Sequence, residues 1–191
     1  MRVPRVAQEA VKVIEVGIRA VTSISGRERK IRSEPAAAPQ QSDDGAAGEP
    51  AEERALFISL KPHYADAILD GRKTVELRRT RPNLPDGALV ILYSSTPTRA
   101  VVGWAQLIGV SEGTPIEIWD EYGAAAAIEE LDYDAYFDGT DQAFALELDD
   151  VVAATQPIPL SVIRSIGIQP PQSWRYVPAE VTVKIQESAL A

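Results

Sequence analysis

The sequence contains no cysteine and only one histidine, His63. Without thiols there can be no disulfide, no thiolate nucleophile and no cysteine-held zinc or iron–sulfur centre. A lone imidazole cannot make a histidine metal cluster, and no Ser-His-Asp triad can be assembled except through His63, whose default place is an exposed helix start. Long apolar runs are missing as well. No stretch approaches the roughly 20 residues that a membrane span needs, and the amino-terminal segment carries Glu9, Lys12 and Glu15 where a secretion signal would be apolar. These absences predict a soluble, cytoplasmic protein with no membrane partner. No internal repeat is visible.

Positive charge is also short. The net charge is −9, which argues against a nonspecific binder of long polyanions, whose affinity comes from accumulated Lys and Arg. The charge is unevenly spread: residues 1–34 carry eight basic and four acidic side chains, residues 35–53 five acidic and no basic ones, and the remainder is acidic. Within that remainder Arg72, Lys73, Arg78, Arg79 and Arg81 form the one dense basic cluster. A positive groove on an acidic body suits a small or specific anionic ligand.

Length and hydrophobic content, 191 residues and 45%, leave room for one domain with a proper core and an appendage. The appendage comes first. Val3, Val6, Ala10, Val13, Gly17, Ala20 and Ile24 recur at three-four spacing, which predicts a helix within residues 1–34 whose stripe over 1–24 would dock on its own domain or make a homodimer or other protein contact. The basic run around residues 26–32 reads as a solvated end. Residues 35–53 are rich in Pro, Ala and acidic residues and predict a disordered linker.

From residue 54 the pattern becomes that of a folded domain. An apolar run over 55–60 suits a buried strand, Pro62 suits a first helical turn, and Gly71 suits the stop of a helix whose face carries Tyr64, Ala67 and Ile68. Period two over the next strand puts Val75 and Leu77 toward a core and Thr74, Glu76 and Arg78 on the other face, with Lys73 at the junction and unplaced. Further strands are expected over 88–93, 101–110 and 142–148. Helices are expected from a Thr114–Glu117 capping box, over 124–130 with 132–137, and over 160–166. Alternating Val181, Val183 and Ile185 predict a final edge strand in a C-terminal segment, 179–191. Short strands with helices inserted between them predict an α+β fold built as a small mixed β-barrel.

The mixed-charge stretch Gly71-x-Lys73-x-x-Glu76-x-Arg78, preceded by Ser59-Leu60-Lys61-Pro62 and followed by Val101-Val102-Gly103 and by Pro170-Pro171-Gln172-Ser173-Trp174-Arg175-Tyr176, resembles an ASCH domain over residues 54–178. The resemblance implies a barrel of PUA-like type with a cleft lined by the motif. It implies RNA or a modified nucleotide as ligand, since ASCH domains are generally thought to bind RNA and some relatives are an N4-acetylcytidine amidohydrolase and a ribonuclease. The amidohydrolase has threonine where this chain has Glu76, so only Lys73 of its catalytic set carries over.

The expected ligand-binding residues are Lys61, Lys73, Glu76, Arg78, Ser173, Trp174 and Arg175. Basic groups would hold phosphate, Glu76 would accept from a base or ribose, and Trp174, rather than Trp104 or Trp119, would face the cleft. The alternative is a hydrolase on a nucleoside or RNA, with Lys73 as base or nucleophile and Glu76 as proton shuttle. No cofactor is expected, apart from a divalent metal under the ribonuclease alternative. Glu117, Asp120, Glu121, Glu129, Glu130, Asp132 and Asp134 could hold one, but read better as a solvated helix face. Competing with both is a salt-bridge network of Lys73, Glu76 and Arg78 that braces the barrel. A third reading is a partner-binding protein in which the N-terminal helix acts and the barrel is passive.

Overall fold

The computed structural model describes residues 54–189. The helix expected within 1–34 and the linker over 35–53 lie outside the described residues. The folded part begins with β1 (Arg54–Leu60), α1 (Pro62–Leu69) and β2 (Val75–Arg78). Pro62 opens α1, and Gly71, at φ 78°, turns the chain toward β2 in a left-handed conformation that glycine adopts without a Cβ penalty. Next come β3 (Ala88–Ser94), β4 (Ala100–Gly113), α2 (Pro115–Ala126), α3 (Glu130–Phe137) and β5 (Ala143–Pro159). The chain ends with α4 (Leu160–Ser165), β6 (Trp174–Pro178) and α5 (Ala179–Ser188). The capping box at the start of α2 is formed: the Thr114 hydroxyl accepts from the Glu117 backbone, and the Glu117 carboxylate accepts from the Thr114 N–H at 2.8 Å.

The six strands form one sheet in the order β2-β5-β4-β3-β1-β6. The β1–β3 pair is parallel, joined through α1 and β2, and the other pairs are antiparallel. The expected α+β architecture is therefore present, but the sheet is not closed into a barrel, because β2 and β6 end the strand order. Their chemistry explains this. β2 has four residues and is followed by Pro82 and Pro85, and β6 is preceded by Pro170 and Pro171, so neither edge can extend a run of N–H donors toward the other.

Side chains bridge the gap instead. Arg78 reaches Ser173, the Trp174 indole donates to Thr80 at 3.1 Å, and the Asn83 N–H donates to the Tyr176 hydroxyl at 2.6 Å.

Both faces of the sheet are covered. One carries Leu56, Ile58, Leu92, Leu107 and Leu146 with Ile68 of α1. The other divides into a cluster of Phe57, Tyr93, Ile158 and Ile163, and a second in which Val75 and Leu77 pack on Ile118 of α2 and on Tyr133 and Phe137 of α3. The long β4 and β5 serve both by shifting register at three places, the first beside Gly103. A Cβ there would lie 2.6 Å from the Val152 carbonyl oxygen, so the close approach of the two strands depends on glycine.

Two expectations about secondary structure are corrected. Residues 181–185 are not an edge strand but part of α5, which buries Thr182, Ile185 and Gln186 at helical spacing. Val181 and Ile185 are four apart, so the short alternation fits either period; β6 already occupies the sheet edge, and Ile185 docks on Phe57 and Val177. The helical stretch expected over 124–130 is interrupted: α2 ends at Ala126, Ala127 adopts φ 48°, and α3 starts at Glu130. Alanines carry no stop signal, so the break is made by tertiary contacts at the helix end.

Candidate functional site

Those contacts lead to the charged motif. The final carbonyls of a helix have no partner within it; here Ala125 O accepts from the Thr74 N–H at 3.0 Å and Ala126 O accepts from Lys73 Nζ at 2.6 Å. An ammonium at a helix C-terminus also meets the negative end of the helix dipole. Lys73, which periodicity left unplaced at the junction of α1 and β2, is buried, 3% exposed, as the cap of α2.

The Glu76 carboxylate lies between two cations. Its Oε2 is 3.2 Å from Lys73 Nζ and its Oε1 is 2.9 Å from Arg78 Nη2. Period two puts Glu76 and Arg78 opposite Val75 and Leu77 as expected, yet that face is also interior: Glu76 is registered with Leu146 and Arg78 with Phe144. Arg78 is 5% exposed. Its Nη1 donates to Ser173 Oγ at 3.1 Å and its Nη2 to the Ser59 carbonyl at 3.2 Å, while its buried Nε has no partner. The Ser173 loop is itself pinned to β1, the Ser59 N–H donating to Ser173 O and the Ser59 hydroxyl to Pro171 O.

Two cations share one carboxylate, so the buried cluster carries a formal charge of +1. Glu76 can balance only one of its two cations, and the Nε of Arg78 is left without a partner. Ser173, to which Arg78 donates, is exposed.

The structure brings together four of the seven residues expected from sequence: Lys73, Glu76, Arg78 and Ser173. Trp174 is nearby but half-buried, its indole tied to Thr80 and its ring 5.3 Å from that of Tyr176. Two residues are not in the cluster. Lys61 is exposed at the start of α1, where its carbonyl accepts from Tyr64 and Ala65. Arg175 is registered with Phe57, and the pleat turns it to the sheet face opposite Trp174 and Tyr176. The carboxylates of α2 and α3 do not converge into a metal-binding group among the described residues, and Glu117 is spent on the capping box.

Two aromatic residues join the site that sequence patterns did not mark. Tyr64, in the first turn of α1, has Lys73 Nζ 5.2 Å from its ring centroid. Its phenol is pushed above the ordinary value first by burial, then by the Asp132 and Glu76 carboxylates. Tyr136 of α3 is 36% exposed. Burial raises its phenol too, with Arg78 opposing and Glu76 reinforcing the shift, so this ring stands in the field of the same cluster. Both had been read only as helix residues, and no local spacing ties either to the motif.

Residues 58–152 match the ASCH domain family. The chain is 38% identical over 130 residues to an "ASCH domain-containing ribonuclease" of Zymomonas mobilis, spanning 67% of this chain and 87% of that protein. It is 35% identical over 92 residues to part of the large ribosomal subunit protein uL22 of Ureaplasma parvum, 48% of this chain and 29% of that protein. Among solved structures, the ASCH protein of Zymomonas mobilis matches with a TM-score of 0.67 and 36% identity, covering 70% of this chain and 94% of that one. With the motif, the sheet and these relatives in agreement, the chain belongs to the ASCH domain family.

Proposed function

We propose that this domain binds RNA, holding a backbone phosphate at the Arg78–Ser173 end of the buried Lys73–Glu76–Arg78 cluster. The observation that carries this is Arg78: a guanidinium 5% exposed, with Nε unpartnered, in a cluster of formal charge +1. Lys73 and Glu76 set the position and charge of Arg78, and Ser173 offers a hydroxyl to the same anion. The similar protein of Zymomonas mobilis is named a ribonuclease, which supports RNA as the ligand class.

The test is binding of a labelled single-stranded RNA by the full chain and by Arg78→Met. A loss of tenfold or more, about 1.4 kcal/mol, is expected, and unchanged affinity removes the cluster from the function. The salt dependence should be shallow, with a slope of about −0.7 in log K against log salt for each phosphate neutralised.

The relative's name also favours a second reading, RNA cleavage. Lys73 Nζ already serves two acceptors and Glu76 two cations, so the roles of base and proton shuttle fit this geometry less well than stabilising charge on the phosphorus oxygens as a ribose 2′-hydroxyl attacks. That hydroxyl loses its proton to water and displaces the 5′-oxygen of the next nucleotide, which takes a proton from water. Incubating labelled RNA with the wild type, Lys73→Ala and Arg78→Met, with and without Mg²⁺ or Mn²⁺, separates the readings. Turnover lost in both variants supports cleavage, and intact RNA under every condition leaves binding alone.

A further inference from the structure

Resting on the RNA-binding reading above, we infer that Tyr136 is the stacking platform of the cleft, taking the base of an unpaired ribonucleotide whose phosphate lies at Arg78, so that the domain selects single-stranded over double-stranded RNA. Among the described residues, this ring is the more open one: Tyr64 and Trp174 are half-buried where Tyr136 is exposed. The Tyr64 ring faces the Lys73 ammonium at 5.2 Å. Trp174 is tied to Thr80 and packed against Tyr176 and the core. Tyr136, by contrast, keeps 36% of its surface open.

The ring is exposed but held in place. The buried Phe137 packs against it with ring planes at 80° and centroids 4.8 Å apart. The Arg79 guanidinium lies 6.0 Å from its centroid and donates to the Asp138 carbonyl, fastening the end of α3 to the end of β2. A positioned ring with an open surface loses little freedom when a flat partner arrives, and every base has a π-face to offer. The preference for single strands follows from burial. A phosphate must enter the mouth to meet a guanidinium 5% exposed, and a base must leave its stack to meet Tyr136; a single strand can do both, whereas a duplex keeps its bases paired and its phosphates on a rigid rod.

The experiment measures fluorescence anisotropy of the full chain with a single-stranded oligoribonucleotide, an abasic ribose-phosphate strand of equal length, and a duplex. Tyr136→Ala should weaken binding of the intact strand by about 5- to 150-fold, the range for one base stacked on an aromatic side chain. It should leave the abasic strand unchanged, and Tyr136→Phe should restore wild-type binding. Equal losses on intact and abasic strands, or no loss on either, overturn the inference, as does a wild type that binds duplex as tightly as single strand. Arg78→Met keeps the two proposals apart, because it should weaken both strands alike. If Arg78→Met is silent while Tyr136→Ala weakens the intact strand alone, the phosphate reading falls and the inference loses its anchor at Arg78, while the base stacked on Tyr136 stands. If the wild type binds no RNA, both fall. Circular dichroism of each variant controls for folding.

Discussion

Arg78 and Ser173 are 95 positions apart in the chain and 3.1 Å apart in space, the guanidinium donating to the hydroxyl across the side where β2 and β6 fail to pair. The candidate site is therefore built at the seam of an incompletely closed sheet. An edge strand must satisfy or protect its unpaired groups, and here the protection is a charged side-chain bridge.

The cluster should be costly to unbalance. Glu76→Gln keeps the shape of the side chain but leaves Lys73 and Arg78 buried without a counter-charge. A loss of about 3–5 kcal/mol is expected, the typical result of removing one partner of a buried pair. Urea unfolding at neutral pH checks this, and a loss below that range would mean the cluster is hydrated in solution.

The helical reading of the C-terminus makes a paired prediction. Ile185→Ala, at a position with no exposure, should cost about 2–5 kcal/mol, whereas Val183→Ala, at a residue 48% exposed, should stay within about 0.5 kcal/mol. In a strand the two side chains would share a face and respond alike. Thermal denaturation of the two variants decides between the conformations.

Gly103→Ala should destabilise by about 1–3 kcal/mol, the cost of overpacking. The new Cβ would lie 2.6 Å from Val152 O and 2.8 Å from Leu69 Cδ2, and backbone cannot step aside as a side chain can. Denaturant midpoints measure the effect, and a neutral result would show that β4 and β5 can separate locally.

The α2 cap should depend on acid. The Thr114 backbone N–H, and then its hydroxyl, hold the Glu117 carboxyl below its ordinary value. A carboxyl lowered in the folded state contributes stability that is complete above its unfolded value of about 4.3 and is lost as pH falls through the folded value. Glu117→Gln should remove this component from an acid titration followed by circular dichroism. Thr114→Ala should cost about 0.5–2 kcal/mol at neutral pH.

The alkaline side has its own probe. Tyr64 is raised by burial and by Asp132 and Glu76, so it should ionise later than a free phenol and contribute stability that is present at neutral pH and lost as pH rises through its folded value. Ultraviolet titration of wild type against Tyr64→Phe isolates its transition, and Asp132→Asn should move that transition toward the ordinary value of 10.0.

Local sequence determined what local physics controls. Pro62 and Gly71 bounded α1, the Thr114–Glu117 spacing placed the start of α2, and period two separated Val75 and Leu77 from Glu76 and Arg78. The ordered motif segments were enough to indicate the family. Trp174 and Arg175, expected together in the cleft, were not separable in this way, because no strand was expected over 174–178; the pleat of β6 puts them on opposite faces.

Tertiary structure alone decided the rest. No spacing within the motif could reveal that Lys73 caps a helix ending 53 residues later, because the orphan carbonyls of α2 find their partner only once that helix has packed on β2. Nor could periodicity distinguish a solvent face from a second interior face, and Glu76 and Arg78 lie on an interior one. The five-residue alternation at 181–185 fitted two periods until β6 took the sheet edge and left Ile185 to dock as part of a helix. The meeting of Arg78 and Ser173 depends on two distant segments brought together by a sheet whose ends approach without pairing, a long-range outcome that short-range pattern does not encode.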